Sequence, residues 1–106
     1  MMESKLKIIC GLKVVDAAFT DSDAGIIFEK EINLVVYNKY ILTGLSLSEA
    51  SLLIDKIVID INEDECLITI KFDCDLTMHI DMRDDAYTGP EAMQLRVPGE
   101  PIVIWN

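Results

Sequence analysis

The residues of this sequence that could most readily catalyse a reaction or bind a metal are four groups of neighbouring carboxylates. They are Asp21 with Asp23, Glu63 with Asp64 and Glu65, Asp73 with Asp75, and Asp84 with Asp85. Two carboxylates held close together can hydrolyse a glycosidic bond or bind calcium. None of the groups has the twelve-residue spacing and internal glycine of a calcium-binding loop. Most fall in predicted turns, where carboxylates are commonly solvated, so we predict no catalysis, metal or cofactor from them.

His79 is the only histidine. Nucleophilic catalysis requires a histidine paired with a serine or cysteine, and the sequence assigns no such partner to His79. It falls on the polar face of a predicted hairpin. We interpret it as a solvent-facing strand residue and predict that the protein is not an enzyme.

The strongest functional signal is the distribution of charge. The chain carries 19 acidic and 9 basic residues, which gives a net charge of −10. Such a charge repels nucleic acid and anionic membranes and favours a basic partner. Between residues 60 and 85 only Lys71 and Arg83 oppose nine acidic side chains. The alternative, that the acidity only keeps an apolar domain soluble, stays open. Candidate partner-binding residues are Glu63, Asp64, Glu65, Asp73, Asp75, Asp84 and Asp85.

The three cysteines fit neither a CxxC redox pair nor a zinc site. Cys10 and Cys66 lie in apolar surroundings, so we expect reduced packing residues there, with Cys74 exposed in a turn. The N-terminal stretch lacks a signal-peptide pattern, and no apolar run approaches the ~20 residues that cross a bilayer. These features predict a cytoplasmic protein.

The element that must position these side chains is a hairpin between residues 65 and 81. Apolar residues alternate along both of its halves, as strand side chains that share one face do. Its buried face is predicted to hold Ile68, Ile70, Phe72, Leu76, Met78 and Ile80. The turn at residues 73–75 joins the two strands.

A shift of 44 positions superimposes an earlier segment on this hairpin. Asp16 then falls on Asp60 and Phe28 on Phe72, while the acidic turn at residues 29–31 falls on residues 73–75. We interpret residues 12–38 and 56–82 as two copies of a three-stranded meander within one domain of residues 1–106. Chance alignment of two alternating patterns is the alternative.

The rest of the chain supplies a helix and a terminal hairpin. Ser46 and Glu49 have the spacing of a capping box, which predicts a short helix near residues 47–54. Residues 6–10 suggest a first strand, and Ile57, Ile59 and Ile61 mark a later one. A hairpin over residues 93–105 ends the chain. We predict a mainly β fold, a sandwich or open barrel of two tandem meanders plus this hairpin.

Two segments resemble a known group of proteins. They are Ala-Tyr-Thr-Gly-Pro-Glu-Ala-Met-Gln-Leu at residues 86–95, followed by Pro-Ile-Val-Ile-Trp at residues 101–105, and Leu-Val-Val-Tyr-Asn at residues 34–38. Together they resemble small bacterial immunity proteins of contact-dependent inhibition and polymorphic toxin systems. The resemblance covers most of the chain and is strongest from residue 57 onward. It transfers no binding residue.

The resemblance implies an inhibitor that binds a cognate toxin, often a nuclease whose basic surface contacts phosphate backbones. An acidic protein can occupy such a surface by matching its charge, without chemistry of its own. The alternative function is a structural or assembly module, a homodimer that pairs edge strands and has no toxin partner.

Overall fold

The computed structural model describes residues 5–106 as nine strands and four short 3-10 helical segments. The strands are β1 (Val14–Phe19), β2 (Ala24–Phe28), β3 (Ile32–Val36), β4 (Tyr40–Thr43), β5 (Val58–Glu63), β6 (Leu67–Phe72), β7 (Thr77–Asp81), β8 (Met93–Arg96) and β9 (Val103–Trp105). The helical segments are Lys5–Ile9, Glu29–Glu31, Leu47–Leu53 and Asp84–Ala86.

The strands form two antiparallel sheets, in the orders β1-β2-β3-β8-β9 and β4-β7-β6-β5. Their inner faces share one core, so the molecule is a β-sandwich. The predicted mainly β fold, with two meanders and a C-terminal hairpin, is confirmed. The predicted buried face of the central hairpin is also confirmed, and its members are at most 7% exposed: Ile68, Ile70, Phe72, Leu76, Met78 and Ile80.

The two meanders have the same strand register at an offset of 44 residues. Val14 pairs with Phe28, and Val58 pairs with Phe72. Each first strand contains a β-bulge at the same place, after Val14 and after Val58. A bulge inserts one unpaired residue and rotates the rest of the strand, so it shifts the inward face. That two copies of one unit produced this arrangement stays a prediction.

The turns of the two meanders also correspond, down to individual hydrogen bonds. The backbone N–H of Glu29 donates to the oxygen of Lys13, and Asp73 donates in the same way to Ile57, both at 3.0 Å. In return, the Lys13 N–H donates to the Glu29 carboxylate and the Ile57 N–H to the Asp73 carboxylate, both at 2.9 Å. The next two residues of each turn have positive φ: Lys30 and Glu31, and Cys74 and Asp75.

The strand after each meander joins the opposite sheet. β4 follows β3 but pairs with β7, whereas β8 follows β7 but pairs with β3. This exchange ties the two sheets together through the chain itself. Asn38 lies at the first crossing, fully buried, and its Nδ2 donates to the backbone oxygen of Asp81 at 2.9 Å. Strand β4 was not predicted from the sequence.

One local expectation, the strand over residues 6–10, is corrected by the structure. Residues 6–10 do not form a strand, because Leu6 and Ile9 both enter the core from the 3-10 helix Lys5–Ile9. Their three-residue spacing matches the pitch of that helix. The strand marked by Ile57, Ile59 and Ile61 is present as β5, in which the bulge buries Val58 and Ile61 and leaves Ile59 60% exposed.

The helix predicted near residues 47–54 is present as the 3-10 segment Leu47–Leu53, with the capping box in place. The Glu49 carboxylate accepts a hydrogen bond from the Ser46 backbone N–H at 2.9 Å. That bond stabilises the charged form and lowers the pKa of Glu49. Leu53, 1% exposed, fixes the segment to the core.

Candidate functional site

The predicted partner-binding residues occupy two opposite ends of the four-stranded sheet. Glu63, Asp64 and Glu65 lie at the turn between β5 and β6, and Asp84 and Asp85 lie in the helical turn after β7. The antiparallel register puts both turns at one end of the sheet, because Leu67 pairs with Asp81.

Asp73 and Asp75 lie in the turn between β6 and β7, at the other end of that sheet. Strand β6 separates the two ends by five residue steps, roughly 17 Å at the rise of a β-strand. The seven residues therefore form a cluster of five and a cluster of two.

Several of these acidic side chains hold the local backbone in shape. The Asp64 carboxylate accepts hydrogen bonds from the N–H groups of Cys66 and Leu67, both at 2.8 Å, and so forms the turn. Glu63 accepts one from the indole Nε1 of Trp105 at 3.0 Å, which ties β9 to β5. Substitution of either residue would disturb the local backbone as well as the surface charge.

A groove of about 720 Å³ lies beside the cluster of five, on the outward side of the four-stranded sheet. It is lined by Asp21, Lys39, Tyr40, Ile41, Cys66, Leu67, His79, Asp81 and Arg83. Ile41 is 69% exposed and Leu67 is 38% exposed, so the groove presents apolar surface to solvent. Glu63–Glu65 lead directly into Cys66, and Asp84 and Asp85 directly follow Arg83, so acidic residues border that surface.

His79 lies in this groove, half-buried, next to Thr69 across the strand pair. The hydroxyl of Thr69 is 3.3 Å from its Nδ1. Cys66 is exposed and lies three residues from Thr69 along the chain, roughly 10 Å at the rise of a strand. That separation is too long for the direct hydrogen bond that would activate a thiol through a histidine.

Asp81 and Arg83 in the groove form an ion pair, so their charges offset each other. Arg83 donates from Nε to Oδ1 of Asp81 at 3.0 Å and from Nη2 to Oδ2 at 2.7 Å. The Arg83 side-chain and backbone hydrogen bonds lower the pKa of Asp81 from 3.8 to about 2. The carboxylate therefore stays charged at neutral pH, and it is bound to Arg83 rather than to His79.

Within residues 5–106, no three histidine, cysteine, aspartate or glutamate side chains converge as a metal site. Over the same residues, no helix has the length and hydropathy that spanning a bilayer requires. The acidic side chains that the sequence singles out are arranged around turns, and of these Asp21 also lines the groove.

The expectation for two of the cysteines is wrong. Cys10, Cys66 and Cys74 are all free and all exposed. Cys10 lies at the turn after the first 3-10 helix, and Cys66 lies in the turn before β6. Ile9 beside Cys10 enters the core, and near Cys66 the first residue to do so is Ile68, but the turns direct both cysteines outward. The predicted exposure of Cys74 is confirmed.

The residues that sequence reasoning missed are those of β4 and the segment that leads into it. Tyr40 and Ile41 supply one wall of the groove. The run Tyr-Ile-Leu-Thr at residues 40–43 is rich in aromatic and β-branched residues and is bounded by Asn-Lys and by Gly, as strands commonly are. That signal was available, but four residues are too few for a clear alternating pattern.

Comparison with protein-family models, with curated proteins and with solved structures finds no match to this chain.

Proposed function

We propose that this chain is a cytosolic binding protein that neutralises a basic partner, as an immunity protein neutralises a toxin. A nuclease is the partner class that fits best, because its phosphate-binding surface is basic. The resemblance of residues 86–105 and 34–38 to such inhibitors motivates the assignment. Non-catalytic occupation of the partner would be the mechanism.

The observation that carries the proposal is the acidic border beside the apolar groove. An apolar centre with a charged rim is the usual anatomy of a protein–protein interface. Here the centre is Ile41 and Leu67, and Asp21, Asp81, Lys39 and Arg83 also line the groove. Glu65, Asp84 and Asp85 directly precede or follow the lining residues Cys66 and Arg83 in sequence and extend the rim. Acidic rim residues accelerate encounter with a basic surface and disfavour other partners. Asp73 and Asp75, at the far end of the sheet, fall outside this surface.

The experiment is co-expression with the toxin domain encoded by the neighbouring gene, followed by growth measurement and purification of the complex. The wild-type chain should restore growth and bind the isolated domain. Failure of the wild-type chain to do either would refute the proposed function.

Charge reversal then locates the surface. Glu65→Lys, Asp84→Lys and Asp85→Lys should slow association and make it less dependent on salt, since rim charges act mainly on the association rate. Asp75→Lys makes the same charge change at the far end and should leave the rate nearly unchanged. Equal effects at both ends would mean that net charge, rather than this surface, guides the encounter.

A homodimeric assembly module is the second candidate. The edge strands favour it, because Ile41 on β4 and Ile104 on β9 are 69% and 44% exposed. Exposed apolar edges can pair between two copies of a chain. Sedimentation equilibrium and the toxin-binding measurement together decide between the candidates: a stable dimer that binds no toxin supports the module.

A further inference from the structure

The four-stranded sheet lacks a strand that its counterpart possesses. Val36 of β3 pairs with Met93 of β8, and Ile80 of β7 pairs with Tyr40 of β4. Because Val36 and Ile80 correspond at the 44-residue offset, β4 is the structural counterpart of β8. Strand β9 covers the other side of β8. Within residues 5–106, no strand covers the other side of β4.

The backbone of β4 presents hydrogen-bonding groups to this vacant position. The Asp81 N–H donates to the Lys39 oxygen at 2.9 Å, and bonded pairs alternate along antiparallel strands. Ile41 and Thr43 therefore bond toward β7, while the N–H and C=O groups of Tyr40 and Leu42 face outward. Their counterparts on β8, Met93 and Leu95, pair instead with Trp105 and Val103 of β9.

The inward side chains of β4 are also less buried than their counterparts on β8. Met93 and Leu95 are 0% and 1% exposed, whereas Tyr40 and Leu42 are only half-buried. Phe19, also half-buried, packs against Tyr40 with ring centroids 6.0 Å apart. The vacant position is thus bordered by apolar side chains that a further strand would cover.

We propose that an extended segment of a cationic partner adds to β4 as the fifth strand of this sheet, in the way that β9 adds to β8. The side chains of such a segment would alternate as those of β9 do, with apolar residues facing the core. The partner's positive charge is the one element that rests on the proposed function.

Charge around β4 favours a cationic segment over a second copy of the chain. Asp21 and Asp81 line the groove at the β4 start together with Lys39 and Arg83, and Arg83 is paired with Asp81. Asp23 lies beside Tyr40, whose hydroxyl donates to the Asp23 backbone oxygen at 2.9 Å, so Asp21 and Asp23 outnumber the remaining cation Lys39 there. A second copy would bring another net charge of −10 to this edge.

The test uses a synthetic peptide that copies residues 102–105, Ile-Val-Ile-Trp, with two lysines at each end. Peptide binding should slow amide hydrogen exchange at Tyr40 and Leu42, measured by two-dimensional NMR of the full chain. Methylation of the Val and Trp backbone nitrogens removes the donors that face β4 and should weaken binding by about fivefold or more per donor. Methylation of the central Ile nitrogen, which faces away, should have little effect.

Variants of the chain supply the second control. Ile41→Lys places a charge on the outward face of β4 and should weaken binding, because both electrostatic repulsion and edge protection act against the peptide. Ile104→Lys makes the same change on β9 and should not. Glutamates in place of the peptide lysines should also weaken binding.

Three outcomes would overturn the inference. They are no added protection at Tyr40 and Leu42 at saturating peptide, displacement of β9 by the peptide, and a dimer of the free chain in which those two amides are already protected. The toxin experiment is independent of all three. Peptide binding without toxin inhibition would refute the proposed function alone, and inhibition without peptide binding would refute strand addition alone.

Discussion

Lys13 and Ile57 form an antiparallel β-bridge, and each is the counterpart of the other at the 44-residue offset. When two paired residues are each other's counterparts, a local two-fold axis passes between them. The neighbouring hydrogen bonds obey the same relation, since Val14 N–H donates to the Lys56 oxygen at 2.8 Å and Val58 N–H to the Leu12 oxygen at 3.0 Å. The local axis therefore runs between β1 and β5 and relates the two sheets.

Phe28 and Phe72 should contribute equally to the free energy of unfolding. They are 0% and 2% exposed and occupy equivalent register positions. Phe28→Ala and Phe72→Ala should each lower the free energy of unfolding by about 3–5 kcal/mol, from lost burial and the cavity left behind. Urea denaturation measures the loss. Ile59→Ala, at a side chain 60% exposed, is the control and should change it little. A severe effect at only one phenylalanine would contradict the equivalence.

The side chain of Asn38 should contribute more to the free energy of unfolding than an ordinary surface amide. Its Nδ2 joins the β3–β4 crossing to the Asp81 backbone oxygen inside the protein. Asn38→Ala should cost about 1–2 kcal/mol of unfolding free energy, since it removes a buried hydrogen bond. The buried Oδ1, which has no partner among the described residues, keeps the cost from being larger. Asn33→Ala is the matched control, because Asn33 bonds to Glu31 at 3.3 Å on a half-exposed strand face. Equal losses of unfolding free energy in the two variants, measured by urea denaturation, would contradict the special role of Asn38.

Alanine substitutions at three glycines distinguish the cost of a positive φ from the cost of a steric clash. A Cβ at Gly44 would lie 2.8 Å from Cδ2 of Leu76, and its φ is +92°. Gly11 has a φ of +85° with open space around it, and Gly25 has open space without a positive φ. Thermal unfolding should rank alanine variants in that order of damage: Gly44→Ala worst, Gly11→Ala about 1–2 kcal/mol, and Gly25→Ala near neutral. Equal losses at Gly44 and Gly11 would show that the contact with Leu76 relaxes freely.

The Asp81–Arg83 pair should appear in the acid titration of the protein. The folded-state pKa of Asp81 is about 2 against an ordinary 3.8, so its contribution to stability is present above 3.8 and is lost as the pH falls toward 2. Arg83→Gln should return the pKa of Asp81 part of the way toward its ordinary value and reduce that pH dependence, because the backbone N–H of residue 83 still donates to the carboxylate. Carboxyl NMR titration measures the pKa, and urea denaturation at several pH values measures the stability. Lys7→Gln breaks the exposed Lys7–Asp60 pair instead and should leave the Asp81 curve unchanged.

The parts of the fold that the sequence predicted are those where alternation runs over two adjacent strands. Ile68 to Phe72 and Leu76 to Ile80 repeat with period two across a short turn, so both the hairpin and its buried face were readable. Residues 6–10 are too few for a period to show, and three-residue spacing there means a 3-10 helix. The exchange of β4 and β8 between sheets depends on pairing between distant segments, which no local pattern encodes.

The candidate site was only partly readable for the same reason. Charge counting found the acidic turns, but it could not tell that Asp73 and Asp75 lie across the sheet from Glu65 and Asp85. That separation depends on strand direction. Nor did composition indicate that Ile41 would stand exposed beside His79, because their pairing across β4 and β7 joins segments far apart in sequence.

The exchange of β4 and β8 sets the order in which the chain can assemble during synthesis. When β4 leaves the ribosome, the strand that will pair with it has not yet been made, and β3 must likewise wait for β8. An emerging N-terminal half would hold two unpaired edges at once. Contacts between distant segments slow folding, and exposed edges attract other nascent chains. We therefore expect the two sheets to reach their final pairing only after β8 has left the ribosome, and until then β3 keeps an unpaired edge.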